Sequence, residues 1–202
     1  MKHFDALIIG GGVSGMQCAL VLGSAKKKSF ASDKEIGILL HQRTSHLQNA
    51  LFNNVLGLET GALGKDILES GKQQLTNSYN HISQIHNEKA IEINAANNGY
   101  IITTNKQLYF SKVVVLALNY SKPFSIKGLD NFIIPHERAN PKKDRIQLKN
   151  NNHLIKDGLY ACGTIAGWRS QFAIAAGSGA SVATDVLTLW NDEVSVKVHD
   201  KI

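Results

Sequence analysis

The stretch DALIIGGGVSGMQCAL, from Asp5 to Leu20, constrains the fold more than any other part of the chain. It reads as a short apolar strand, a glycine turn and the first turns of a helix. Gly10, Gly12 and Gly15 fill the three places of G-x-G-x-x-G. The first glycine allows the tight turn, the second lets a pyrophosphate approach the backbone, and the third lets the helix pack closely on the strand. The free N–H groups at the helix start, Val13 and Ser14 among them, offer an anion site together with the helix dipole. The alternative is a glycine-rich turn in an unrelated α/β protein. The strand–turn–helix context favours a dinucleotide as the ligand.

At 202 residues the chain is long enough to bury a sizeable core, and the expected organisation is a single domain over residues 1–202. A composition of 43% hydrophobic and 19% charged residues is that of an ordinary globular protein. No apolar run is expected to reach the ~18 residues of a membrane helix. Gly10–Gly12 interrupt the one apolar segment near the start, so no cleavable leader is expected. Cys18 and Cys162 form no C-x-x-C, and both are expected as buried core thiols, which fits a cytoplasmic location. The net charge of +6 includes Lys26–Lys28 and Lys142–Lys143, whose neighbours are not aromatic. Solvated loops explain these clusters better than nucleic-acid binding does, and a basic rim for anionic substrates stays open.

The expected elements alternate in the α/β manner. A helix from Val13 to about Ala25 is followed by a polar connection and a second strand, 35–40. The end of that strand should carry an Asp or Glu for ribose hydroxyls, but His41 and Gln42 stand there instead. Gln42 offers a hydrogen bond without charge assistance. Residues 47–58 form an apolar patch broken by Gln48, Asn49, Asn53 and Asn54, and 65–79 read as an amphipathic helix. Three β-like segments follow, 82–93 with an interruption, 100–104 and 108–118, which together suggest a meander on or beside a parallel sheet. Residues 121–152 hold all three prolines and read as loop. A strand with a glycine turn, 158–164, then precedes a small-residue helix from Ser170 to about Trp190, and the last polar residues read as a frayed tail. The fold class is therefore α/β, a Rossmann-like domain with a parallel central sheet and an added β-meander.

These pieces resemble the thioredoxin-reductase-like branch of the FAD-dependent pyridine nucleotide-disulfide oxidoreductases. Four stretches carry the resemblance: Gly10–Gly15; Asn53–Leu58 with Gly64; Lys112–Asn119 with Gly128; and Gly158–Gly163 with Gln171, Ala173, Ala176, Gly177 and Gly179. The resemblance implies FAD as cofactor. It assigns cofactor contacts to Gly10, Gly12, Val13, Ser14, Gly15, His41, Gln42, Asn49, Asn54, Ala90, Ala117, Gly163, Thr164, Gln171, Phe172 and Ala173. It also implies a homodimer. The departures are equally specific. Thr164 stands where the family has an aspartate for the ribityl chain, and Leu118-Asn119 replaces Thr-Gly. The redox C-x-x-C is missing. Residues 121–152 occupy the place of an NADPH domain of roughly a hundred residues, a typical domain length.

The function expected from this resemblance is that of an FAD-dependent oxidoreductase domain, reduced by a partner protein or directly by a small-molecule substrate. Trp168 and Arg169 are candidates to cover the flavin or bind a substrate carboxylate, or else are a packing tryptophan and a surface arginine. No acid–base or nucleophilic centre can be assembled, and no metal site is expected: His81 and His86 have no ligand-like partner, and His41 and His46 flank the adenosine side. The competing reading is a non-catalytic dinucleotide-binding module or subunit. A relative of flavin-dependent tRNA-modifying proteins ranks last, and no membrane association is expected.

Overall fold

The computed structural model describes residues 1–41 and 47–199. In chain order its elements are β1 (Lys2–Ile9), α1 (Val13–Ser24), β2 (Ile36–Leu40), β3 (Leu51–Phe52), β4 (Ala62–Leu63), α2 (Gly64–Ser78), β5 (Ser83–His86), β6 (Ala90–Ala96), β7 (Gly99–Thr104), β8 (Leu108–Leu116), β9 (Ile133–Pro135), β10 (Ile146–Leu148), β11 (Leu154–Lys156), β12 (Leu159–Ala161) and α3 (Phe172–Trp190). This is the α/β Rossmann-like class expected from the sequence.

Alternation along β1 decides how the layers form. Ala6 and Ile8 face one side of the sheet and Leu7 and Ile9 the other, and all four are buried. A strand covered on both faces belongs inside a parallel sheet. β1 accordingly lies between β2 and β8, both parallel to it, and the parallel order is β5-β2-β1-β8-β12. One face carries α1 and α3, which bury Cys18, Ala19 and Leu22 against Val182, Ala183 and Val186. The opposite face is covered by Ile93, Ile102 and Tyr109 of the β6–β8 meander and by Ile146 and Leu148.

β8 joins the two kinds of sheet. Its first half pairs antiparallel with β7, as in Ile102↔Tyr109, and its second half pairs parallel with β12, from Leu159↔Val114 to Ala161↔Leu116. The meander is thus continuous with the parallel sheet through β8. The segment 82–93 is not a single interrupted strand. β5 pairs with β2 at the edge of the parallel sheet, whereas β6 pairs with β7. Asn87, at φ +56°, makes the break between them.

Three other expectations are revised. Residues 121–152 contain the antiparallel pair β9–β10, with Ile126, Leu129, Ile146 and Leu148 buried, because their apolar side chains close the meander face. Near the C-terminus, Val196 and Val198 pack in part against the helical layer. Finally, α3 is long and apolar enough to cross a membrane by length and composition. Its small residues blend into its aliphatic ones, which hid the run in the sequence. Val182, Ala183, Val186 and Leu187 bury one stripe of it in the core, the arrangement of a helix packed by one face on its neighbours.

The α1–α3 crossing depends on a missing side chain. A Cβ on Gly179 would lie 2.0 Å from the carbonyl oxygen of Ser14, whereas one on Gly177 would meet nothing within 4 Å. Gly179→Ala should therefore destabilise the protein by about 1–3 kcal/mol. Gly177→Ala should stabilise it by about 0.5–1 kcal/mol through helix propensity. Urea denaturation of both variants checks the opposite signs.

Candidate functional site

The parallel strands end level with one another. Ile9 is in register with both Leu39 and Leu116, and Leu116 with Ala161. Backbone bonds carry the alignment past the strand ends: Gly10 N–H donates to Leu39 O at 3.1 Å, Ala117 N–H to Ile9 O at 2.9 Å and Cys162 N–H to Leu116 O at 2.9 Å. Ligands of open α/β sheets bind outside these carboxyl ends. A cleft of about 520 Å³ occupies that place, lined by Ile9, Leu39, Ala117 and Gly163 among others.

The glycine turn is shaped by close approach. Gly10 has φ +114°, and a Cβ there would stand 2.3 Å from Ala117 O. A Cβ on Gly15 would stand 1.9 Å from Gly10 O, so this glycine lies beneath the turn as its packing partner rather than on the cleft wall. The first helical bond of α1 joins Met16 N–H to Gly12 O at 2.8 Å. The amides before it are those a helix leaves without an acceptor in its own first turn. At the other side of the cleft α3 begins in the same way, with Ala175 N–H bonded to Gln171 O at 2.9 Å and no side-chain cap on its first turn. Two helix starts thus border one cleft, and both dipoles favour an anion there.

Of the residues assigned from the sequence, Gly10, Gly12, Val13, Ser14, His41, Ala90, Ala117, Gly163, Thr164, Gln171 and Phe172 line the cleft together. Gln42 and His46 lie outside the described residues. Asn49 and Asn54 sit exposed in turns flanking β3, away from the wall, while Leu47, Ala50 and Phe52 reach it. Ala173 is exposed on α3. Phe172 and Ala175, three residues apart, share the face toward the cleft, and Ala173 is rotated off it. Phe52 and Phe172 meet edge to face at 5.2 Å between ring centroids.

The cleft also gathers Glu88, Lys89, Tyr120 and Ser125, which the sequence did not single out, and Asn119, which it marked only as a departure from the family's glycine. Their common signal is position, just beyond the carboxyl ends of β5 and β8. Reading 82–93 as one strand hid the first pair.

Behind Gly163 lies a buried polar relay. Gly163 N–H donates to Ser178 Oγ at 2.8 Å, and Ser178 Oγ lies 2.9 Å from His153 Nε2. Trp168 Nε1–H donates to the same His153 nitrogen at 2.9 Å, with the two rings stacked at 5.6 Å. Arg138 closes the outer side, its guanidinium 5.1 Å from the Trp168 ring and Nη1 donating to Gly167 O at 3.0 Å. Trp168 is thus held by packing and hydrogen bonding on the helix-start side of the cleft. The cysteines are inert by contrast. Burial pushes Cys162 up to about 12 and raises Cys18 well above its ordinary value, so neither is a thiolate at neutral pH. Among the described residues no three His, Cys, Asp or Glu stand together to hold a metal.

Comparison with solved structures bears on this arrangement. A thioredoxin reductase from Gloeobacter violaceus superposes with a TM-score of 0.77 at 12% identity, covering 100% of both chains. The chain shares its fold with thioredoxin reductases. A ferredoxin-flavin thioredoxin reductase from Clostridium acetobutylicum matches with a TM-score of 0.69 at 20% identity over 95% of this chain and 99% of that one. An oxidoreductase from Agrobacterium tumefaciens matches at 0.70 and 13% identity over 94% and 99%. No family model and no curated protein matches the sequence.

Burial pushes the pKa of His153 below the usual histidine range, only partly opposed by a backbone hydrogen bond at Asn152. Its Nε2 accepts a hydrogen bond, which requires the neutral ring. The unfolded chain therefore takes up this proton first on acidification. The stability contributed is complete above about pH 6.5, the ordinary histidine value, and falls as pH drops toward the lowered folded value. His153→Gln keeps an acceptor for Trp168 but cannot titrate. Its urea midpoint should fall less than that of the wild type between pH 7.5 and 5.5, leaving the share due to His81, which burial also lowers.

Proposed function

We propose that the chain is an FAD-binding oxidoreductase domain whose flavin is reduced by a partner protein or directly by its substrate. One observation carries the reading: four parallel strands end level on a single cleft that two uncapped helix starts also border. Such a site suits a long ligand with anionic groups at its middle and an electron-accepting ring at one end. Gly10, Gly12, Val13 and Ser14 would hold the pyrophosphate. The adenosine half would lie toward His41 and Ala90, and the ribityl chain and ring toward Gly163, Thr164, Gln171 and Phe172. A Cβ at Gly10 would strike Ala117 O, so the turn is held tightly on the end of β8. Gly10 and Gly12 line the cleft with no side chain of their own, which fits close backbone approach of a phosphate.

When bound, FAD supplies hydride and electron transfer through its ring system. The residues of this chain supply position and electrostatics. The start of α3 favours negative charge on the reduced ring, and Phe52 with Phe172 offers it an apolar wall. The buried thiols Cys18 and Cys162 take no part in disulfide exchange, which requires an accessible thiolate. Thr164, in place of an acidic residue, favours a second reading, a dinucleotide-binding subunit without turnover. Reduction of bound flavin separates the two, because a non-catalytic subunit would show no substrate- or partner-dependent bleaching.

Gly12 is the N-cap of α1, with φ −75°. Asp is a favoured N-cap, so Gly12→Asp should fold normally. Its carboxylate would oppose the pyrophosphate, and like charges in contact cost several kcal/mol. Calorimetric titration of the unliganded protein with FAD should show binding at least about a hundredfold weaker in the variant, whereas unchanged binding by the folded variant would move the ligand elsewhere.

The flavin should also be a poor direct acceptor from NADPH. Hydride transfer needs the reacting atoms about 3–3.5 Å apart and aligned, and the sequence holds no second G-x-G-x-x-G or G-x-G-x-x-A to build a nicotinamide site. Anaerobic stopped-flow should show slow, non-saturating bleaching by NADPH and full reduction by dithionite. Rapid, saturable bleaching by NADPH or NADH alone contradicts the proposal.

A further inference from the structure

The acidic residue that a dinucleotide fold places at the end of its second strand is missing here, since β2 is followed by His41. The structure puts a carboxyl group beside that position from another strand. β5 runs parallel to β2 with Leu40 opposite His86, and Asn87 N–H donates to Leu40 O at 3.3 Å. The chain therefore continues past β5 alongside the end of β2. Glu88 comes next, and like His41 and Ala90 it lines the cleft.

Glu88 is only 3% exposed, an unusual state for a carboxyl group unless it is well partnered. Thr104 Oγ1 donates to its Oε1 at 2.5 Å. The Tyr109 hydroxyl, which accepts from Gln107 Nε2 at 2.6 Å, lies near enough to Glu88 to feel its charge. Burial first and Glu88 second push Tyr109 up to about 12, so the phenol keeps its proton. Thr104, at the end of β7, fixes the Glu88 side chain from behind. Two carboxyl oxygens offer about four acceptor positions in all, of which Thr104 uses one. The remaining acceptor capacity belongs to a side chain at the cleft wall.

We propose that Glu88 stands in for the missing carboxylate of β2, accepting a hydrogen bond from a donor on the ligand's adenosine half, either a ribose hydroxyl or the purine 6-amino group. The inference rests on the dinucleotide reading given above. Glu88 thereby sets specificity. A ligand lacking the donor leaves a buried acceptor unpaired, the circumstance in which discrimination is largest.

Calorimetric titrations of the full chain with ADP, 2′-deoxy-ADP, 3′-deoxy-ADP and purine riboside 5′-diphosphate test this directly. The wild type should bind at least one analogue about tenfold more weakly than ADP: a deoxy analogue if the ribose is read, the purine analogue if the amino group is read. In Glu88→Gln, the single amide oxygen is held by Thr104, so the amide nitrogen meets the ligand donor. This variant should bind ADP about tenfold more weakly and lose the discrimination against that analogue. A purely structural Glu88 would lower the melting temperature while leaving the ratios between ligands unchanged, which overturns the proposal. Equal wild-type binding of all four ligands overturns it as well, and needs no folded variant. Binding of neither ADP nor FAD overturns the dinucleotide reading itself and this proposal with it.

Discussion

The close approach of backbone to backbone around Ser14 is the constraint on which the site depends. Gly10 packs on Ala117, Gly15 on Gly10 and Gly179 on Ser14, each at a distance that a Cβ would make impossible. Gly163 meets the Ser14 side chain in the same way, a Cβ there falling 2.6 Å from Oγ. These four contacts bring the β1 turn, the end of β8, the start of α1, the turn after β12 and the middle of α3 to one point. Hydrophobic burial on both faces of β1 supplies the general driving force for that assembly. The glycines determine how near the elements come, and that nearness leaves main-chain amides at the cleft rather than side chains.

The same geometry orders the chemistry along the cleft. Main-chain groups dominate its middle, where the glycine turn and the start of α1 meet. The end beyond β2 and β5 carries hydrogen-bonding side chains, His41, Glu88 and Lys89. The end at α3 carries Gln171 and the Phe52–Phe172 pair, backed by the Gly163–Ser178–His153–Trp168 relay. A site graded in this way from polar recognition through an anion cradle to an apolar wall suits a molecule built of three such parts. Neither cysteine lines it, and both thiols are buried.

How much of this was legible in the sequence follows from which interactions are local. The β1–turn–α1 unit is local, and its glycine spacing and helix start were read within a residue or two. The apolar run of β8 and the glycine turn after β12 were likewise clear. The division of 82–93 was not, because both halves have ordinary strand composition and only their partners differ: β2 for one, β7 for the other. That error concealed Glu88, whose place in the cleft depends on a pairing 46 residues apart in sequence, Leu40 with His86. The β9–β10 pair was missed for a related reason, since prolines and lysines mask the few apolar residues that bury. On α3 the helix itself was evident, but the 100° step between residues put Ala175 rather than Ala173 on the cleft wall.

The central claim is that this cleft holds FAD, and the absorption spectrum of the freshly purified protein tests it most directly. The account predicts flavin bands, with FAD rather than FMN released when the protein is denatured, or the appearance of those bands in protein-bound form after incubation with FAD. A colourless protein that also fails to retain added FAD would contradict it.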